Sequence, residues 1–169
     1  MLSSSHLVAR ACRLVFVTGV LSACEVTSLG LRSPGDTADP DPFKADLTPG
    51  PIETPESIHL DELLEMRVGV INRGNRTAGP GWFIRVLLSD DARIDSTDHL
   101  IEQFVTTREL APEAQDVYLR NLKLSGVDPG DYYVGSILDV TNLVPELSDS
   151  NNALAAPGRI ALLAASAGP

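Results

Sequence analysis

The chain has 169 residues, 23 acidic against 13 basic, with a formal net charge of −10 and a sequence pI near 4.6. So acidic a chain repels a phosphate backbone, and no stretch interleaves basic with aromatic residues, which argues against nucleic acid as a partner. The length is enough for one domain with a real core.

The first segment carries a targeting pattern. Arg10 and Arg13 give a positive start with no acidic residue before Glu25. Leu14 to Leu21 (LVFVTGVL) is an apolar run, and the small residues Ser22 and Ala23 follow. The run is about half of the roughly 20 residues a membrane-spanning helix needs. Leu21-Ser22-Ala23-Cys24 resembles the lipobox of a bacterial lipoprotein. The resemblance implies that residues 1–23 are a signal peptide, that Cys24 becomes a lipid-bearing N-terminus, and that the chain is exported and held on a membrane by that anchor. In a double-membraned host, Glu25 after the cysteine implies the outer membrane or the cell surface. Plain secretion by cleavage at the same small residues is the alternative. Cys12 leaves with the signal in either case, so the mature chain keeps one cysteine and no internal disulfide.

Residues 24–45 read as the lipidated cysteine and a disordered linker, because Ser33 to Ala45 (SPGDTADPDPFKA) is rich in proline and aspartate and poor in apolar residues. From Asp46 to Leu163 the periodicity is that of strands. Leu64, Met66, Val68 and Val70 alternate with Glu65, Arg67 and Gly69. After turn signals at 72–75 and 78–81, Ile84, Val86 and Leu88 follow Trp82 in a second alternation, with Trp82 expected in the core. His99 to Val105 reads as a short returning strand. Asp116 to Leu124 reads as another, with a bulge near Arg120-Asn121 where the apolar set shifts from Val117 and Leu119 to Leu122 and Leu124. Tyr132 to Val140, Leu143 to Glu146 and Arg159 to Leu163 complete the set, and residues 164–169 form a flexible tail. About seven short strands and no convincing helix predict an all-β, antiparallel sandwich. Pro129-Gly130-Asp131-Tyr132 resembles the tyrosine corner of immunoglobulin-like domains, in which the hydroxyl bonds back to upstream backbone.

Five stretches stand out together: Ala45-Asp46-Leu47; Val70-Ile71-Asn72-Arg73-Gly74-Asn75 with Ala78-Gly79; Val86 to Asp91 with Ile94 to Asp98; Pro129 to Val134; and Asp139 to Glu146 leading to Asn151-Asn152. In this order and spacing they are similar to the CARDB domain, the cell-adhesion-related domain found in bacteria. Arg93 and Leu147-Ser148-Asp149 depart from the family pattern. The resemblance implies an immunoglobulin-like sandwich over 46–163 and, loosely, interaction at a surface.

Catalysis has little to rest on. His59 and His99 are far apart and have no cysteine nucleophile beside them, and no G-x-S-x-G, H-E-x-x-H or phosphate loop occurs. Two oxygen-rich clusters are candidate calcium ligands: Asp90, Asp91, Asp95 and Asp98 in one loop, and Asp139, Asn142, Glu146, Asp149, Asn151 and Asn152 at one end of the sandwich. Arg93 and Ser96 break any EF-hand pattern in the first. Both clusters read equally as turn caps, since Asp and Asn bond their own backbone. The expected function is a non-catalytic interaction or adhesion module without a required cofactor, for an unknown protein or polysaccharide. The alternatives are calcium-dependent ligand binding and a structural subunit of an envelope complex.

Overall fold

A computed structural model describes residues 42–166. The lipobox, Cys24 and most of the linker lie outside the described residues. Eight strands are present: β1 (Leu47–Glu53), β2 (Ser57–His59), β3 (Leu63–Asn72), β4 (Phe83–Ser89), β5 (His99–Val105), β6 (Gln115–Lys123), β7 (Gly130–Leu138) and β8 (Ala153–Leu163). They form a three-stranded sheet, β1-β3-β6, packed on a five-stranded sheet, β2-β8-β7-β4-β5. No helix occurs among the described residues, and none is long and apolar enough to cross a membrane. The all-β, immunoglobulin-like sandwich therefore stands as the sequence predicts.

The core follows from the period-two pattern. Leu64, Met66, Val68 and Val70 of β3 face Ile84, Val86 and Leu88 of β4, with Leu47, Val134, Leu138, Ile160 and Leu162 filling the layer. Trp82, 1 % exposed, belongs to the buried core as expected. Burying a large side chain of this kind stabilises a fold by about 1.5–3 kcal/mol, so the sandwich holds without a disulfide. Tyr132 makes the expected corner: its hydroxyl donates to the Asp128 carbonyl at 3.2 Å.

Five details correct the sequence reading. β1 and β2 are additional strands, hidden because Pro49 and Pro51 interrupt the first and the second is only three residues long. β2 pairs with β8 in parallel, so the sandwich is not wholly antiparallel. Leu143 to Glu146 is loop, not strand. β6 has no bulge at Arg120-Asn121, because its register against β3 runs unbroken from Leu63↔Lys123 to Ile71↔Gln115. Its inner face is Asp116, Tyr118, Arg120 and Leu122, while Val117 and Leu119 point outward and are exposed. The polar inner positions made the apolar outer ones look like the core set. Lastly, Ala45 is buried in the core, so the folded segment begins before Asp46. At the other end Ser166 N–H bonds the Asp61 carboxylate at 3.0 Å, and His59 Nδ1 lies 2.7 Å from the Ala164 carbonyl.

The strand directions divide the loops between two ends. The segment before β1, the β3–β4 loop (73–82) and the β7–β8 loop (139–152) share one end, here called proximal. The β4–β5 loop (90–98) lies at the opposite, distal end. It also folds back over the sheet: a Cβ on Gly135 of β7 would lie 2.2 Å from Ile94 Cγ1, so the glycine leaves the space that Ile94 occupies.

Candidate functional site

The proximal end is organised by three side chains. Asn72, the last residue of β3, is fully buried. Its Oδ1 accepts from the Asp46 amide at 3.1 Å and the Gly74 amide at 3.0 Å. Its Nδ2 donates to the Arg76 carbonyl at 2.8 Å and the Leu110 carbonyl at 2.9 Å. One amide thus ties the start of β1, the β3–β4 loop and the β5–β6 loop (106–114) together. Gly74 follows because the chain passes so close: a Cβ there would sit 2.3 Å from the Lys44 carbonyl oxygen.

Asp139 shapes the β7–β8 loop. It is buried at positive φ (41°), and Asn142 repeats that conformation (49°). Its carboxylate caps the amides of Leu143 at 3.0 Å and Val144 at 2.7 Å. The loop then presents Glu146, whose carboxylate accepts from the Leu47 amide and from Asn152 Nδ2 at 2.9 Å. The Glu146 backbone pairs with Ala45, and its carbonyl receives Lys44 Nζ at 3.2 Å. Asn151 Nδ2 donates to Asp46 Oδ1 at 3.0 Å. Burial is the largest influence on the Glu146 carboxyl and pushes it up to about 7. The two amide donors pull it down, while Asp139 and Asp149 push it up again.

The structure thus brings Asp139, Asn142, Glu146, Asn151 and Asn152 into one loop system, and it places Asp90, Asp91, Asp95 and Asp98 at the distal end. In that distal loop, Asp91 caps the Arg93 amide at 2.7 Å, Asp95 caps the Thr97 amide at 2.9 Å, and Asp98 caps the Asp95 amide at 2.8 Å. The Thr97 hydroxyl, then its amide, holds the Asp95 carboxyl below its ordinary range. The proximal carboxylates are poorly placed to take a divalent cation. The Asp139 and Glu146 oxygens are engaged by N–H donors, and no three acidic, histidine or cysteine side chains gather as a metal group among the described residues. Among the described residues, the Oδ1 atoms of Asn151 and Asn152 are buried side-chain oxygens of the proximal loop that lack a hydrogen-bond partner.

Asn72, Lys44 and Arg76 carry roles that periodicity alone does not reveal. The signal for Asn72 was its place at the end of an alternating apolar strand, where a buried amide must find four partners. Beside these residues lies a cleft of about 400 Å³, lined by Phe43, Lys44, Arg76, Pro80, Leu143 and Val144 among others. A second cross-sheet contact closes the long side of the sandwich. Arg120 of β6 pairs with Glu102 of β5, its Nε donating at 2.9 Å, and its guanidinium lies 4.5 Å from the Phe104 ring centroid. The Glu102 carboxylate holds the Arg120 guanidinium above its ordinary range.

The comparisons with known proteins agree with this architecture. A CARDB domain from Pyrococcus furiosus, solved in complex with di-metal ions, superposes with a TM-score of 0.54 at 22 % identity, over 73 % of this chain and 97 % of that one. A solution structure of a CARDB domain from the same organism gives 0.52 at 23 % identity, over 71 % and 96 %. A domain of a candidate cell surface protein from Methanosarcina acetivorans gives 0.54 at 19 %, over 71 % and 93 %. These likenesses establish the shared fold. No curated protein matches the chain. The CARDB family model, however, matches residues 44–156, from the Lys44 contact with Glu146 to the middle of β8. The chain belongs to the CARDB family.

Proposed function

We propose that the protein is an exported lipoprotein that displays one non-catalytic CARDB sandwich for interaction or adhesion. Cys24 carries the acyl chains in the outer membrane or at the cell surface, and the partner is an envelope protein or a polysaccharide. The observation that supports this reading most is the joint occurrence, in one chain, of Leu21-Ser22-Ala23-Cys24 and a CARDB domain. Two or more acyl chains anchor firmly, at about 0.8 kcal/mol per buried CH₂. Cys24→Ala is expected to move the protein out of the membrane fraction or leave it unprocessed. Retention in that fraction at the wild-type mass would overturn the anchor. A pull-down from envelope extract with the domain as bait tests the partner.

One observation favours a second reading, calcium-dependent binding: the Pyrococcus furiosus CARDB domain is a complex with di-metal ions. Asp139, Asn142, Glu146, Asn151 and Asn152 are the residues it would use here. Because their carboxylates already cap backbone amides, millimolar calcium is expected to leave the melting temperature unchanged. A rise of several degrees, with heat on calorimetric titration, would establish the second reading instead.

A further inference from the structure

The proximal end combines features that the adhesion reading does not use. Phe43 is 62 % exposed, Leu143 58 % and Leu147 52 %. The three are neighbours around the point where the chain enters the sandwich. Phe43 and Leu143 line the same cleft, and the Leu147 amide bonds the Ala45 carbonyl at 2.9 Å. Their exposure is built in. Leu143 is held out by the Asp139 cap and the positive φ of Asn142, and Phe43 is positioned by the Asn75 side chain, which bonds the Lys44 amide and the Pro42 carbonyl on either side of it. Two cations, Lys44 and Arg76, line the cleft between them.

We propose that this end is a membrane-docking surface: Phe43, Leu143 and Leu147 insert into the interfacial layer of the bilayer that holds Cys24, and Lys44 lies at the level of its lipid phosphates. The inference rests on the lipid-anchor reading. The position of the patch in the chain argues for this occupant. Residue 42, where the described structure starts, is separated from Cys24 only by residues 25–41, which even fully extended span at most about 60 Å. The bilayer is therefore the surface that the proximal end meets most often. Tethering makes the contact intramolecular, at an effective concentration on the order of millimolar, so a weak apolar contact suffices. Aromatic and leucine side chains beside cations are what an interfacial surface takes up. Docking also orients the molecule. It turns the acidic loop of Asp90, Asp91, Asp95 and Asp98 away from the membrane and leaves the distal end to face outward.

The test uses chain 24–169, whose one cysteine is Cys24. Its thiol is coupled to a maleimide lipid in vesicles of phosphatidylethanolamine and phosphatidylglycerol, which supplies a tether independent of cellular lipidation. Hydrogen exchange is then compared with that of the uncoupled chain. Exchange across residues 141–147 is expected to slow about threefold, as for a segment covered about two thirds of the time, while residues 90–98 stay unchanged. Phe43→Ser combined with Leu143→Ser and Leu147→Ser should abolish the slowing; all three side chains are exposed, and an unchanged melting temperature verifies the fold. Equal exchange in coupled and free chains overturns the proposal. So does slowing that survives the triple substitution, or slowing that grows with protein density on the vesicle, which marks contact with a second copy. The chemical tether separates these outcomes from a failure of the anchor, which is read from Cys24→Ala in cells.

Discussion

Asn72→Ala is expected to destabilise the domain by about 3 kcal/mol or more, among the largest effects of any single substitution. The Asn72 side chain makes four hydrogen bonds, to two amides and two carbonyls from three separate segments. A typical bond contributes about 1 kcal/mol net, and a buried group stripped of its partner costs about 1–3 kcal/mol. The alanine also leaves a cavity under the β3–β4 loop. Urea denaturation followed through Trp82, the one tryptophan, measures the effect directly, because that ring is buried in the core and must become wet on unfolding. A change below about 1 kcal/mol would mean that the three segments are held by their backbones alone.

The second large effect is a pH dependence. In the folded protein the Glu146 carboxyl is raised from its ordinary 4.5 to about 7, with burial the main cause. Between those values the unfolded chain has released this proton and the folded one still holds it. The unfolded state then binds fewer protons, so stability falls as pH rises from about 4.5 to about 7, and it levels off above that. Each tenfold change in proton affinity corresponds to about 1.4 kcal/mol, so a rise from 4.5 to about 7, which already includes the two amide donors, sets the expected loss at about 2–4 kcal/mol. Glu146→Gln should remove this dependence. The amide has similar shape, can accept from the Leu47 amide, and carries no charge to bury beside Asp139 and Asp149. Denaturant midpoints at pH 5 and pH 8 for the two proteins decide it; equal slopes in both would assign the dependence to other groups.

How much of this was legible in the sequence differs by feature. The β3 and β4 strands were plain because Leu64, Met66, Val68, Val70, Ile84, Val86 and Leu88 alternate without interruption and are all buried. The Tyr132 corner was legible because it is local: its hydroxyl reaches only four residues upstream. β1 was not, since two prolines and a register shift between Pro49 and Ile52 remove the alternation while β3 still pairs with it. β6 misled because its inner face mixes Tyr118 and Arg120 with Leu122, and a cross-sheet partner such as Glu102 has no signature in local periodicity. The Asp90 to Asp98 cluster lies in a loop as expected, whereas Asp139 and Glu146, read as strand residues, lie in the β7–β8 loop. Which atoms each carboxylate caps depends on long-range contacts, such as Leu47 with Glu146, 99 positions apart.

These parts form one account. Among the described residues the core contains no cysteine, and Asn72 and Glu146 lock the place where residues 44–47 enter the sandwich. Lipidation at Cys24 is read from the intact mass of the protein isolated from the membranes of cells that express it. The expected species starts at Cys24 and is heavier than residues 24–169 by a diacylglyceryl group, with or without a further acyl chain. A mass equal to the unmodified sequence, whether full length or cleaved, would contradict the lipid anchor.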